Sequence, residues 1–205
     1  MFPFFRYEVV SMKRLLFGAA LGLLALMPLA SGVGQEKEQP GKPKYDNRTY
    51  VPTADEVILK MFEMGKVNKN DVIFDLGCGD GRILYMAAKK FGCRCVGLET
   101  NPERIVEAMD QAKKYEVGTL VEIRHGDALK PKDLGDATVV VMYMFPEFMN
   151  LWQPIAKEKL KPGTRILSHD YAWNIGNWEP DESVVVRSAM REHKVHMWTV
   201  KEKGK

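Results

Sequence analysis

The stretch Asp75-Leu76-Gly77-Cys78-Gly79-Asp80-Gly81 sets an acid just ahead of three alternate glycines. Glycines have no Cβ, so the backbone can turn sharply there and a ligand can lie almost against it. A helix start behind the glycines, from about Arg82, is expected to offer unpaired N–H groups. Asp75 adds an acceptor suited to a cationic ligand end, such as the ammonium of an amino acid. A dinucleotide fingerprint would need G-x-G-x-x-G, but Arg82 stands where its third glycine belongs. A phosphate-binding P-loop would need Lys-Ser/Thr after the turn, and none follows. Two more acids, Glu99 and Asp127, recur downstream, and His169-Asp170 forms a pair with acid–base character.

These residues need a scaffold, and the hydrophobic pattern supplies one. Val72–Leu76, Cys93–Leu98, Val121–Arg124, Thr138–Met142 and Arg165–Leu167 read as strands. Helical patterns lie between them at about 82–91, 101–114 and 146–160, and an earlier helix runs from about 54 to Gly65. Thr53 and Glu56 have capping-box spacing at its start. Two final strands, Val184–Arg187 and Lys194–Val200, follow a loop rich in Trp, Asn and Gly. Alternating strands and helices predict an α/β domain, doubly wound on a mostly parallel seven-stranded sheet, with one antiparallel strand near the C-terminus.

In such sheets ligands sit outside the carboxyl ends of the strands. Asp75 ends the first strand, Glu99 ends the second and Asp127 follows the third. A carboxylate at the second position can accept ribose hydroxyls. One after the third can accept an adenine amino group, with the Ala128 backbone beside it. Any single acid of this kind is more often a solvated loop residue; three at successive strand ends, with the glycine turn, form a pattern.

With 205 residues, 45% hydrophobic and 28% charged, the chain holds one ordinary domain plus an extension. A net charge of +3 is too small to indicate nucleic acid. Lys89, Lys90, Arg94, Lys113 and Lys114 read as solvated surface, and no DNA-binding pattern emerges. Cys78, Cys93 and Cys95 show neither disulfide nor zinc spacing, and Cys93 and Cys95 are expected to point opposite ways. Lys13-Arg14 precede an uncharged run, Leu15–Ala30, and small residues follow, so residues 1–34 read as a signal peptide or membrane anchor. Met12 would make a tidier start than Met1. Residues 35–47 read as a disordered tether and 48–205 as the domain.

The glycine motif Asp75–Ile83 resembles that of class I S-adenosylmethionine (SAM)-dependent methyltransferases. Together with Tyr50-Val51-Pro52-Thr53 and Pro162-Gly163-Thr164-Arg165-Ile166-Leu167-Ser168, it is similar to one subfamily. These are the protein-lysine methyltransferases acting on the adenine nucleotide translocase and the ATP synthase c-subunit, with their bacterial relatives. The resemblance implies a Rossmann-like fold with SAM as cofactor. It places Tyr50, Asp75, Gly77, Gly79, Glu99, Asp127 and Ala128 on the cofactor and implies a protein lysine as acceptor.

The Asn/Asp-Pro-Pro-aromatic motif of enzymes that methylate adenine or amide nitrogens is missing; Val141-Met142-Tyr143-Met144-Phe145-Pro146 stands there instead. Tyr143 can border the methyl group or be a core aromatic. His169 and Asp170 are the candidates for a base or an ammonium-orienting acid, against a purely structural pair. A small-molecule or RNA acceptor and a non-catalytic cofactor-binding module are the competing functions. An export signal or anchor would take the domain away from the compartment where SAM is made.

Overall fold

The computed structural model describes residues Tyr50–Glu202. The expected signal peptide or anchor (1–34), the expected tether (35–47) and the choice between Met1 and Met12 lie outside the described residues. Along the chain run α1 (Asp55–Met64), β1 (Val72–Leu76), α2 (Arg82–Phe91), β2 (Arg94–Glu99), α3 (Pro102–Lys114), β3 (Val121–His125) and β4 (Val139–Met142). They are followed by α4 (Pro146–Lys159), β5 (Arg165–His169), β6 (Glu182–Arg187) and β7 (Glu192–Thr199).

The strands form one sheet in the order β3-β2-β1-β4-β5-β7-β6. Pairings from β3 through β5 are all parallel, whereas β7 runs antiparallel to both of its neighbours. The expectation of a single reversed strand holds, and β7 is that strand. The order reverses between β1 and β4, and there the connections leave a crevice at the carboxyl ends of the strands.

Continuous apolar runs arise because both faces of the sheet are covered. Successive residues go to opposite sides, Ile73, Val139, Val141 and Leu167 to a core shared with α1 and α2. Phe74, Val140, Met142 and Ile166 pack with α4 and Trp198. Trp152 and Trp198 are completely buried; cutting such a ring to Ala costs about 3–5 kcal/mol.

Local chemistry differs from expectation in two places. Ala54, not Thr53, caps α1, with no side-chain bond, because Thr53 is buried and its Oγ1 turns to His169 Nδ1 at 3.2 Å. The capping box therefore gives way to a longer-range bond. Cys93 and Cys95 share a face, as residues two apart on extended chain must, with their sulfurs 3.9 Å apart and buried. α3 begins as its residues predict, with Asn101 accepting from the Glu103 N–H and Pro102 in the first turn.

Candidate active site

The glycine turn follows β1 directly. Gly77, Gly79 and Gly81 have φ of 74°, 54° and 76°, backbone that other residues adopt only at a cost. At Gly79 space matters as well as conformation: a Cβ would come within 2.2 Å of the Tyr50 ring. Tyr50 thus lies over the turn, with the Arg104 guanidinium 4.1 Å from its ring centre. On the other side, a Cβ on Gly77 would meet Met144 Sδ at 3.0 Å. The segment after β4 therefore borders the same crevice.

Five backbone donors of the turn, at Gly77, Cys78, Gly79, Gly81 and Arg82, are engaged internally. The N–H groups of Gly77 and Cys78 both bond to Leu98 O, and that of Gly81 to Cys78 O. Gly79 N–H donates to Glu99 Oε2 at 2.9 Å, and Arg82 N–H to Asp80 Oδ1 at 3.1 Å. With these donors engaged, the turn itself is a poorer cradle for pyrophosphate than one with its N–H groups open. Asp80 grips Arg82 through both carboxylate oxygens, and Arg82 Nη1 reaches back to Thr53 O. That clamp fastens the segment carrying Tyr50 to the turn.

Asp75 is 2% exposed at the end of β1, and its Oδ2 is buried with no hydrogen-bond partner. Burial, then the charges of Glu99 and Asp80, push this carboxyl up to about 8. A buried acceptor without a donor is costly, and a cationic donor entering the crevice relieves it. The Tyr50 hydroxyl is likewise buried without a hydrogen bond; burial and then Asp80 raise it to about 12. Glu99, at the end of β2, is differently placed. Its Oε1 accepts from Thr100 and Asn101 N–H and its Oε2 from Gly79 N–H. A carboxylate has about four acceptor positions, so one on Oε2 stays open. Gly126 N–H bonds to Glu99 O, which draws the end of β3 in beside β2. Beyond it, Asp127 Oδ1 caps the Leu129 N–H, and Ala128 is buried.

The remaining expected site residues meet at the carboxyl ends of β4 and β5. Tyr143 Oη donates to Asp170 Oδ2 at 3.1 Å, and its ring lies 3.9 Å from that of His169. Asp170 has φ 63°, strained for a non-glycine residue. It is held there because its N–H bonds to Lys194 O and its Oδ1 accepts from Lys194 N–H. Arg191 Nη2 lies 2.5 Å from Asp170 Oδ2. Burial opposes ionisation of Asp170, but bonds from Arg191, the Lys194 N–H and Tyr143 outweigh it and hold it at about 2. His169 is buried, with Nδ1 on Thr53 and Nε2 on His193 Nδ1 at 2.8 Å. Burial lowers it to about 4 against the pull of Asp170. Near neutrality Asp170 is therefore ionised and His169 is a neutral imidazole, with both of its ring nitrogens in hydrogen bonds. Local sequence patterns miss Met144, Arg104, Arg191 and His193. For the last two, only the register of β7 beside β5 could have revealed them.

Comparison with known proteins agrees with this geometry. Residues 75–182 match the ANTKMT methyltransferase domain family. The chain belongs to this family. A protein-lysine N-methyltransferase of Saccharolobus islandicus is 38% identical over 154 residues, 75% of this chain and 94% of the relative. The crystal structure of an RNA methyltransferase from Salinibacter ruber with S-adenosyl-L-homocysteine is 39% identical, with a TM-score of 0.69. It covers 76% of this chain and 97% of that one. The Bacillus subtilis tRNA methyltransferase TrmK, at 14% identity and TM-score 0.59, shares the fold.

The chain is therefore a SAM-dependent methyltransferase. SAM supplies an electrophilic methyl group on a sulfonium and carries an amino-acid end. The orphaned Asp75 oxygen, the spent turn donors and the glycine floor under Tyr50 fit such a ligand better than a phosphate. Among the described residues no helix is long and apolar enough to cross a membrane.

Proposed function

We propose that this methyltransferase acts on a lysine amine of a protein. The observation that carries the reading is the cluster beside the crevice, where the ionised Asp170 and the Tyr143 hydroxyl converge at a site walled by aromatic rings. A carboxylate and aromatic faces are the groups that hold an alkylammonium in line. The Saccharolobus islandicus relative, matched over nearly its whole length, supports the same acceptor. In this reading Asp75 takes the amino-acid end of SAM, Glu99 the ribose through its open position, and Asp127 with Ala128 the adenine. Gly77, Gly79 and Tyr50 shape the floor and roof. Asp170 and Tyr143 orient the acceptor, and His169 holds Tyr143 and Asp170 in place. A free lysine titrates near 10.4 and must lose its proton before attack. With Asp170 near 2 and His169 near 4, that proton goes to water.

An RNA acceptor is the second reading, favoured by the likeness to the Salinibacter ruber RNA methyltransferase. It is also favoured by a surface groove where Tyr85 and Tyr115 stack at 4.2 Å beside Lys89 and Lys90. That groove is lined by Asp55 and Leu59 of α1, by Tyr85, Met86, Lys89 and Lys90 of α2, and by Tyr115. The full chain, incubated with methyl-labelled SAM and lysate of its source cells, separates the readings. Protease-sensitive label mapping to lysine supports the first; RNase-sensitive label overturns it. We further propose that Leu15–Ala30 directs export or membrane attachment. Fractionation with mass spectrometry of the N-terminus tests this; a soluble cytoplasmic protein that retains the segment would exclude it.

A further inference from the structure

The cation that sits on Asp170 in this structure is the protein's own. Arg191 Nη1 and Nη2 reach Asp170 Oδ1 and Oδ2 at 3.3 and 2.5 Å, and Nη2 donates to Tyr143 Oη at 3.1 Å. With Lys194 N–H and Tyr143 O–H as the other donors, every acceptor position of Asp170 is filled. If Arg191 is lifted away, three acceptors lose a donor together: Oδ1, Oδ2 and the tyrosine oxygen. Three converging acceptors match the three N–H donors of one alkylammonium. The surroundings suit its aliphatic stem. The Tyr143 ring lies between His169 and Tyr171, with centroids at 3.9 and 6.2 Å, and Phe145, half exposed, packs against Tyr171.

Arg191 is also placed to leave. It lies at the end of the turn joining β6 to β7, next to Met190, which is 94% exposed. Its side chain is 45% exposed, whereas that of Asp170 is only 16% exposed. A pair with one partner half in water is weakly held, yet a mostly buried carboxylate left alone is costly. Asp170 therefore releases Arg191 readily only to another cation. A metal ion is a poorer candidate, although donor atoms of His169, Asp170 and His193 lie within 4.8 Å of one another. The two imidazoles are bonded to each other, and His193 Nε2 is bonded to Ser188 Oγ at 3.0 Å.

We propose that Arg191 is a place-holder for the acceptor: it fills an alkylammonium site made by Asp170 and Tyr143 and yields it when a lysine side chain enters. This rests on the reading of a lysine acceptor and adds that the β6–β7 turn gates it. Butylammonium chloride is the probe, titrated into the full chain with ¹³C-labelled tyrosine and followed by the Tyr143 resonances. Arg191→Gln should bind it at least tenfold more tightly than the wild type, and n-butanol should not bind. Asp170→Asn in that background should abolish binding; asparagine tolerates the left-handed φ, so the fold is kept. Unchanged or weaker binding by a folded Arg191→Gln protein overturns the proposal. Should that variant melt early, Arg191→Lys, which keeps the charge but loses the fork, must fall between the two. Lysine label in lysate with no gain in butylammonium binding would sink the gate and leave the lysine reading. Tight binding with no lysine label would do the reverse.

Discussion

The two ends of the crevice are built on opposite principles. Around the glycine turn the backbone satisfies itself, and polar side-chain atoms are left over: Asp75 Oδ2 and the Tyr50 hydroxyl are buried without partners. Around Asp170 nothing is left over, since the carboxylate, Tyr143 and both ring nitrogens of His169 are bonded. The first end waits for a ligand to complete it; the second must give up a bond to admit one. The first should therefore govern cofactor affinity and the second turnover.

The largest effect on cofactor affinity should come from Asp75. Removing the buried partner of a bound cation costs about 2–5 kcal/mol, so Asp75→Ala should weaken SAM binding by roughly that much in calorimetry. An affinity within a factor of two of wild type would break the contrast. Glu99→Gln should come next. An amide nitrogen cannot accept from the backbone N–H groups that now hold the carboxylate, so about 2 kcal/mol should be lost. Because the same bonds hold the turn, the melting temperature of the free protein should drop with the affinity; a fall in only one would separate ribose binding from scaffold.

The contrast also has a pH signature. With Asp75 raised to about 8, the folded protein holds a proton between about pH 4 and 8 that the unfolded chain has lost. Stability without cofactor should therefore fall as pH rises through that window. A cationic ligand favours the carboxylate, so binding expels the proton and affinity should rise with pH, by at most about tenfold or 1.4 kcal/mol per unit. The rise should level off near pH 8, where the amine of the ligand begins to lose its own charge. Asp75→Asn should flatten both profiles, as followed by melting and calorimetry across pH. The smallest effect on affinity belongs to Asp170→Asn, within about 0.5 kcal/mol of wild type, while turnover with a lysine acceptor falls at least tenfold. If affinity and melting temperature fell together instead, Asp170 would be scaffold.

How much of this could be read beforehand follows the same division. The cofactor end is written in one contiguous stretch and at successive strand ends, so Asp75, Glu99 and Asp127 could be placed from periodicity and turn chemistry alone. At the acceptor end a short-range rule fails: Thr53 has the right spacing for a capping box, but His169, 116 residues away, takes its hydroxyl. The acceptor end draws on residues 53, 143, 169–170 and 191–193. Its long-range bonds depend on the register of β5 against β7, which no local signal encodes. Arg191 and His193 were illegible for that reason.

The reversal of β7 has a consequence for how such a protein can change over time. In a sheet with every strand parallel, side chains at the carboxyl edge come from loops that lead into packed crossovers, and altering one disturbs the core. Because β7 runs backwards, a four-residue turn between two outer strands delivers Arg191 to that edge instead. The turn can be lengthened, shortened or rewritten while both hydrophobic layers stay as they are. On the proposed lysine reading, cofactor chemistry can thus be inherited intact while the choice of acceptor is renegotiated at the rim.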